Sequence, residues 1–185
     1  MLRDFNLVAS TYRMRENDCI SELWFFAKEI GDKSLDASKT GLPSLIVAKT
    51  SLDPEHFVKT LREKVLENPW LFRYLLKIVP IQENVEADIE LIVDVALKLA
   101  REKLQPGETY RIDVRHRLSD ISKMDVVEKL APKIENKVDL ENPDKIILVE
   151  IIGDIAGVSV IPPELIVSIT KLKRLARQRD LKLQP

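Results

Sequence analysis

Arg111, Arg115 and Arg117 recur at even spacing within TYRIDVRHR, the stretch from Thr109 to Arg117. In an extended chain successive side chains alternate sides, so these guanidiniums share one face with Asp113, while Tyr110, Ile112, Val114 and His116 take the other. A guanidinium is planar, always charged and able to bridge two phosphate oxygens, which suits the backbone of a polyanion such as RNA. The bland alternative is a solvated strand face partly neutralised by Asp113. A second cationic set, Lys171, Lys173, Arg174 and Arg177, falls on one arc of a helix, opposite Leu165, Ile169, Leu172, Leu175 and Ala176. If both sets lie on one surface and neutralise about 5 phosphates, log K falls against log salt with a slope of roughly −3.5 to −4.5.

Chemistry beyond charge is scarce. No GxGxxG or Walker loop, no nucleophile elbow and no histidine-rich metal box occurs, and the chain has five glycines in all. Cys19 is the single cysteine, and with His56 and His116 alone it cannot build a Cys/His zinc site or an internal disulfide. His116 alternates onto the apolar side of its strand, where a packed histidine is expected. His56 has no partner nearby in sequence. Trp24 and Trp70 could stack on bases, but their positions in an apolar stripe and after Pro69 favour core packing. Glu150 is the one acid in an apolar run, and it either reaches the edge or pairs with a basic residue.

The elements that must hold these side chains can be read from periodicity. Phe5 to Ser10 reads as a strand, followed by a helix from Asp18 to Ile30 with Ile20, Leu23, Trp24, Ala27 and Ile30 as its apolar stripe. Ser44 to Thr50 has strand composition, and Asp53-Pro54 caps a helix that Asn68-Pro69 stops. Phe72 to Ile81 is β-compatible. An amphipathic helix through Ile89, Ile92, Val93, Ala96, Ala100 and Leu104 ends at Gln105-Pro106-Gly107, which feeds the arginine strand. Ser122 caps a helix with Met124, Val127, Leu130 and Ala131 on its apolar face, and Pro132 ends or kinks it. Lys145 to Ile152 and Ile155 to Ile161, split by Gly153-Asp154, read as adjacent buried strands. A last helix runs from Pro162-Pro163 to about Arg177.

With 185 residues and 45% hydrophobic content, the chain can bury one domain or two small ones, and two are expected. The opening MLRDFNLVAS is not a secretory leader, and no stretch approaches the roughly 20 apolar residues of a membrane span, so a soluble, cytoplasmic protein with no membrane partner is expected. The 29 basic and 30 acidic residues hide a gradient, because residues 164–185 carry 6 basic against 2 acidic. The C-terminus is the basic pole.

Three segments resemble the THUMP domain, an RNA-binding module of tRNA-modifying systems, and in particular the stand-alone adaptors that assist tRNA cytidine acetylation. They are KIVPIQ at Lys77 to Gln82, YRIDVRHR at Tyr110 to Arg117, and VDLENPDKIILVEI at Val138 to Ile151. Asp139, Asn142 and Pro143 match the family's turn before the central strand, Glu150 lies in that strand, and Arg117 ends the strand before it. Pro80 matches the family's proline, and Lys77 stands where an arginine is frequent, keeping the charge but losing the bidentate fork.

The resemblance implies an α+β chain: an N-terminal ferredoxin-like domain over residues 1–76, a THUMP-type α/β domain over 77–163, and a basic helix or tail over 164–185. It also implies a non-catalytic adaptor that needs no cofactor and presents tRNA to a separate RNA cytidine acetyltransferase making N4-acetylcytidine. The RNA contacts would be Lys77, Arg111, Arg115, Arg117, Lys123, Lys137, Lys171, Lys173, Arg174 and Arg177. Changing Arg111, Arg115 and Arg117 together to Glu should then abolish tRNA binding without unfolding. The rival expectations are an RNA-binding subunit of a thiolation or methylation system, a small hydrolase or divergent modification enzyme, and a protein-interaction or dimerisation module.

Overall fold

A computed structural model describes residues 1–182, and the chain divides into two compact units: Met1–Pro80 together with the chain from Leu165 onward, and Ile81–Glu164. The first unit opens with strand β1 (Leu7–Ser10), helix α1 (Glu16–Ile30), strands β2 (Asp36–Lys39) and β3 (Leu45–Lys49), helix α2 (Pro54–Glu67) and strand β4 (Lys77–Pro80). Its buried stripe on α1 is Cys19, Ile20, Leu23, Phe26 and Ala27, one position round from the predicted one. Phe26 takes the inward place and stacks on Phe72 at 4.0 Å between ring centroids, which leaves Trp24 47% exposed rather than in the core.

The predicted strand from Phe72 shrinks to Lys77–Pro80 because a carboxylate captures its first half. Glu22 on α1 accepts the backbone N–H groups of Arg73 (2.6 Å), Tyr74 (3.1 Å) and Leu75 (2.7 Å), so those donors are not available to a ladder. The polar edge strand β2 escapes sequence reading for the opposite reason. Its DASK composition carries no apolar alternation, and it forms because β3 offers it a free edge.

Asp32, 1% exposed, ties the end of α1 to the end of β3. Its carboxylate accepts five bonds, from the Thr50 hydroxyl at 2.5 Å, the Ser51 hydroxyl and N–H, and the Ser34 N–H and hydroxyl. Burial alone would push this carboxyl up, but those donors outweigh it and hold the pKa at about 2. A carboxyl held below its unfolded value of about 3.9 adds stability that is complete above that pH and lost as pH falls toward 2. Asp32→Asn is therefore expected to lose about 2 to 3 kcal/mol at pH 6 and to flatten the acid limb between about pH 4 and 2, read as urea midpoints across pH. A variant whose acid limb matches the parent would remove Asp32 from this role.

The second unit runs β5 (Glu83–Glu86), α3 (Ile89–Lys103), β6 (Tyr110–Arg117), α4 (Lys123–Leu130), β7 (Lys145–Ile152) and β8 (Ile155–Ile161). Its sheet order is β5-β8-β7-β6, with β6 and β7 parallel and the other pairs antiparallel. A parallel pair needs a crossover, and α4 lies in the connection that supplies it. β7 is central and buried on both faces, which is why its sequence is an unbroken apolar run apart from Glu150. Ile92, Val93 and Ala96 of α3 and Val126 and Leu130 of α4 close on Ile147, Val149, Ile151, Val158 and Val160. Met124, placed on the apolar face by sequence, is 55% exposed, since Val126 takes the buried position. β5 has no apolar pattern. Gln82 leads into it with side-chain bonds to both backbone groups of Val160 (Nε2 to O, 3.1 Å; N to Oε1, 2.8 Å), aligning the chain before the ladder begins.

The chain then returns to the first unit. Strand β9 (Val167–Ser168) pairs with β4, completing the sheet order β2-β3-β1-β4-β9, and helix α5 (Ile169–Lys182) packs on α2 and on the 3-10 turn Pro69–Leu71. The basic C-terminal segment is thus part of the N-terminal unit, and the unit border falls at Pro80/Ile81 because β9 recruits everything after Glu164.

Candidate nucleic-acid interface

The arginine strand β6 is laid out as its alternation implies, with Tyr110, Ile112 and Val114 buried and Arg111, Asp113, Arg115 and Arg117 on the other face. His116 departs from expectation: it is exposed, because it lies beyond the part of β6 that packs into the helix-covered core. The three guanidiniums are largely engaged. Arg111 donates through Nε and Nη2 to the two Asp113 oxygens, both at 3.0 Å, and through Nη1 to the Leu140 carbonyl at 2.9 Å. Three of its five donors are spent on its own fold.

Arg117 donates to Glu150 Oε2 at 2.8 Å, and Arg115 lies 3.8 Å from Oε1 of the same carboxylate. Glu150 is aligned with Arg115 in the parallel register, and its side chain is 2% exposed, which settles its role as an ion-pair partner of the arginine strand. Three arginines set against Asp113 and Glu150 leave this face one net positive charge. Arg115, with 41% of its side chain exposed and no hydrogen bond to Glu150, is the most available of the three.

The turn motif before β7 is structural. Asp139 Oδ1 accepts the N–H groups of Glu141 (3.0 Å) and Asn142 (2.9 Å), and these bonds hold its carboxyl below the usual range. Pro143 is buried, Asn142 is exposed, and Asp144 fastens the turn to β6 by accepting the Thr109 N–H (2.8 Å) and hydroxyl (3.0 Å). Asp139, not Asn142, therefore shapes this turn.

A second group of cations lies elsewhere in the second unit. A cleft of about 630 Å³ opens between the end of α3, the Pro106-Gly107 turn and the segment after α4. Leu97, Ala100, Leu104 and Ile134 form its apolar lining, Arg101, Lys133 and Lys137 its cations, and Glu108 and Glu135 its acids, so that the lining carries one net positive charge. The Asn136 amide bonds the Gln105 and Glu108 carbonyls at 3.0 and 2.9 Å, pinning one wall to the other. Among the described residues the side chains of Arg101, Lys133 and Lys137 make no ion pair or hydrogen bond, and the Lys137 charge helps to hold the Asp139 carboxyl below its usual range. Lys137 was expected from sequence; Arg101 and Lys133 were not. The available signal was that Arg101 has Leu97 and Gln105, not an acid, four residues to either side.

The remaining candidates are placed as follows. Lys123 is exposed in the first turn of α4 and makes no ion pair among the described residues. Lys77 and Pro80 belong to β4 in the first unit, Lys77 opposite Ser10 and Ser168 and Pro80 buried opposite Leu7. Lys171, Lys173, Arg174 and Arg177 are all on α5 of that unit, with Lys173 half-buried and the other three exposed. Among the described residues no cluster of three or more His, Cys, Asp or Glu side chains could hold a metal ion, and no helix is long and apolar enough to cross a membrane.

Comparison with known proteins agrees with this architecture. Over 177 residues the chain is 29% identical to the uncharacterized protein MJ0421 of Methanocaldococcus jannaschii, covering 92% of this chain and 45% of that one. PH1313 from Pyrococcus horikoshii Ot3 shares the fold with a TM-score of 0.57 and 20% identity over 85% of this chain and 55% of its own. A 4-thiouridine synthetase solved as an RNA complex with bound ATP does so with a TM-score of 0.52 and 16% identity over 86% of this chain and 42% of its own. The chain spans about half the length of these relatives. The family model for the THUMP domain matches from Glu86 through β8, taking in α3, the arginine strand, the pinned turn and the central strand. Residues 86–161 of this chain are a THUMP domain.

Proposed function

We propose that this chain is a non-catalytic tRNA-binding adaptor that presents tRNA to a separate RNA cytidine acetyltransferase for N4-acetylcytidine formation. The observation that carries the reading is the THUMP domain over residues 86–161. Support for RNA as the ligand comes from the three cations of its cleft, which form no ion pair among the described residues, and from the relative of similar fold solved with RNA. Support for acetylation comes from the likeness of VDLENPDKIILVEI to the acetylation adaptors. The N-terminal unit we read as ferredoxin-like, since its first six elements run β-α-β-β-α-β. The adaptor would hold tRNA through phosphate and shape contacts, while the partner enzyme brings acetyl-CoA and ATP.

The test is reconstitution with a purified RNA cytidine acetyltransferase, tRNA, acetyl-CoA and ATP. N4-acetylcytidine is expected only when both proteins are present, and none from the chain alone. Modification by the chain alone would overturn the non-catalytic reading. Equal yields with and without it would overturn the adaptor role.

A further inference from the structure

The N-terminal unit carries a cationic surface whose arrangement goes beyond a solvated helix. Between Ile169 and Arg179, α5 holds five basic side chains and no acid, in a chain that has 29 basic and 30 acidic residues in all. Asn68 ends α2 and caps the following 3-10 turn by accepting the Trp70 N–H at 3.3 Å, while Pro69 is buried. That turn pushes Trp70 and Leu71 outward, 46% and 57% exposed. Leaving an indole half in water forfeits burial energy, so a compensating role is worth seeking.

α5 lies against this turn. Lys173 donates to the Phe72 carbonyl at 2.5 Å and sits 5.9 Å from the Trp70 ring centroid, which sets the helix in register with the indole. One turn later the Arg177 guanidinium carbon lies 5.0 Å from the same centroid. Among the described residues Arg177 has the ring contact and no carboxylate or hydrogen-bond partner. A guanidinium held against a ring has lost much of its rotamer freedom, yet none of its five N–H donors is spent on another described residue. Lys171 and Arg174 precede it at intervals of three residues, exposed and with side chains likewise without a partner among the described residues.

We propose that Arg177, held by Trp70, is a phosphate fork and that with Lys171 and Arg174 it grips the backbone of an RNA strand, giving the N-terminal unit an RNA contact of its own. A planar, preorganised fork beside a row of point charges fits a phosphodiester chain better than it fits isolated carboxylates. A lipid surface fits less well, because an interfacial helix needs a free apolar side, and of the apolar arc of α5 Ile169 is buried, Leu172 and Ala176 are half-buried and Leu175 alone is exposed. The inference deepens the RNA-binding reading above, and it can fail while that reading stands.

The experiment is an anisotropy titration of labelled tRNA across salt with the parent chain, Arg177→Ala, Arg177→Lys and Trp70→Ala, each checked for fold by circular dichroism. Arg177→Ala is expected to weaken binding about 10-fold and to lower the salt slope by about 1. Arg177→Lys should keep the slope and still lose most of the affinity, because the charge remains and the fork does not. Trp70→Ala should resemble Arg177→Lys. In a Trp24→Phe background, tRNA should also change the emission of Trp70. Parent-like affinity and slope in Arg177→Ala would overturn the inference, and so would parent-like affinity in Arg177→Lys. Tighter binding of phosphatidylserine vesicles than of tRNA would assign the surface to lipid instead. If Arg177→Ala is silent while charge reversal in the cleft abolishes binding, only this inference falls; if the parent chain does not bind tRNA at all, both fall.

Discussion

Replacing Arg117 by alanine is expected to destabilise the THUMP domain by about 3 to 5 kcal/mol, although the residue looks like a surface arginine in the sequence. The reason is Glu150, 2% exposed in the central strand, whose one direct hydrogen bond from a cation among the described residues is the 2.8 Å contact with Arg117. A buried carboxylate stripped of its donor carries most of its desolvation cost uncompensated, and Arg115 at 3.8 Å supplies attraction but no hydrogen bond. Removing both charges is a different case. Arg117→Leu with Glu150→Leu should restore stability to within about 1 kcal/mol of the parent, because the desolvation cost disappears with the pair.

Urea unfolding followed by circular dichroism checks this directly. Both tryptophans lie in the N-terminal unit, so their emission reports that unit and should be unaffected by either variant. A loss below about 1 kcal/mol for Arg117→Ala would show that Arg115 or water replaces the bond fully. The same geometry changes what a combined charge reversal can show. Placing glutamates at 111, 115 and 117 sets three new carboxylates beside Asp113 and Glu150, so that variant should unfold its domain, contrary to the expectation from sequence.

Reversing Arg101, Lys133 and Lys137 together to Glu is expected to weaken tRNA binding on the order of 100-fold and to lower the salt slope by about 3, with stability nearly unchanged. These side chains are exposed and make no ion pair among the described residues, so the fold does not depend on them. They are not held in an ion pair as Arg111 is, although Glu108 and Glu135 line the same cleft, and the apolar lining below them lets a base or sugar approach as the phosphate is held. Filter binding or anisotropy over a salt series gives both the affinity and the slope. An unchanged slope would show that no phosphate is neutralised there and would move the RNA contact elsewhere in the domain.

Tyr110 to Arg117 was legible because an edge strand with one face on helices writes its environment into alternation, and Lys145 to Ile152 because a central strand has no polar face to write. α3 and α4 announced themselves by apolar spacing and by the Ser122 cap, which the structure shows as a capping box with Asp125. The short strands β2, β5 and β9 did not, since each is held by its neighbour or by a side chain such as Gln82 rather than by its own pattern. Trp24, Trp70 and His116 misled because an aromatic residue near an apolar stripe can be one position off the buried arc, or just past the end of the covering layer.

By itself, then, the sequence determined the order and type of the long elements, the common face of the three arginines and the concentration of basic residues after Glu164. These are local properties, because periodicity and capping depend on residues a few positions apart. Only the tertiary structure decided which cations remain free. Glu150 meets Arg117 from 33 positions along the chain, Arg177 reaches Trp70 across more than a hundred, and β9 carries the basic helix into the first unit. Whether a charge is neutralised depends on distances of a few ångströms between such segments, and no local pattern encodes that distance.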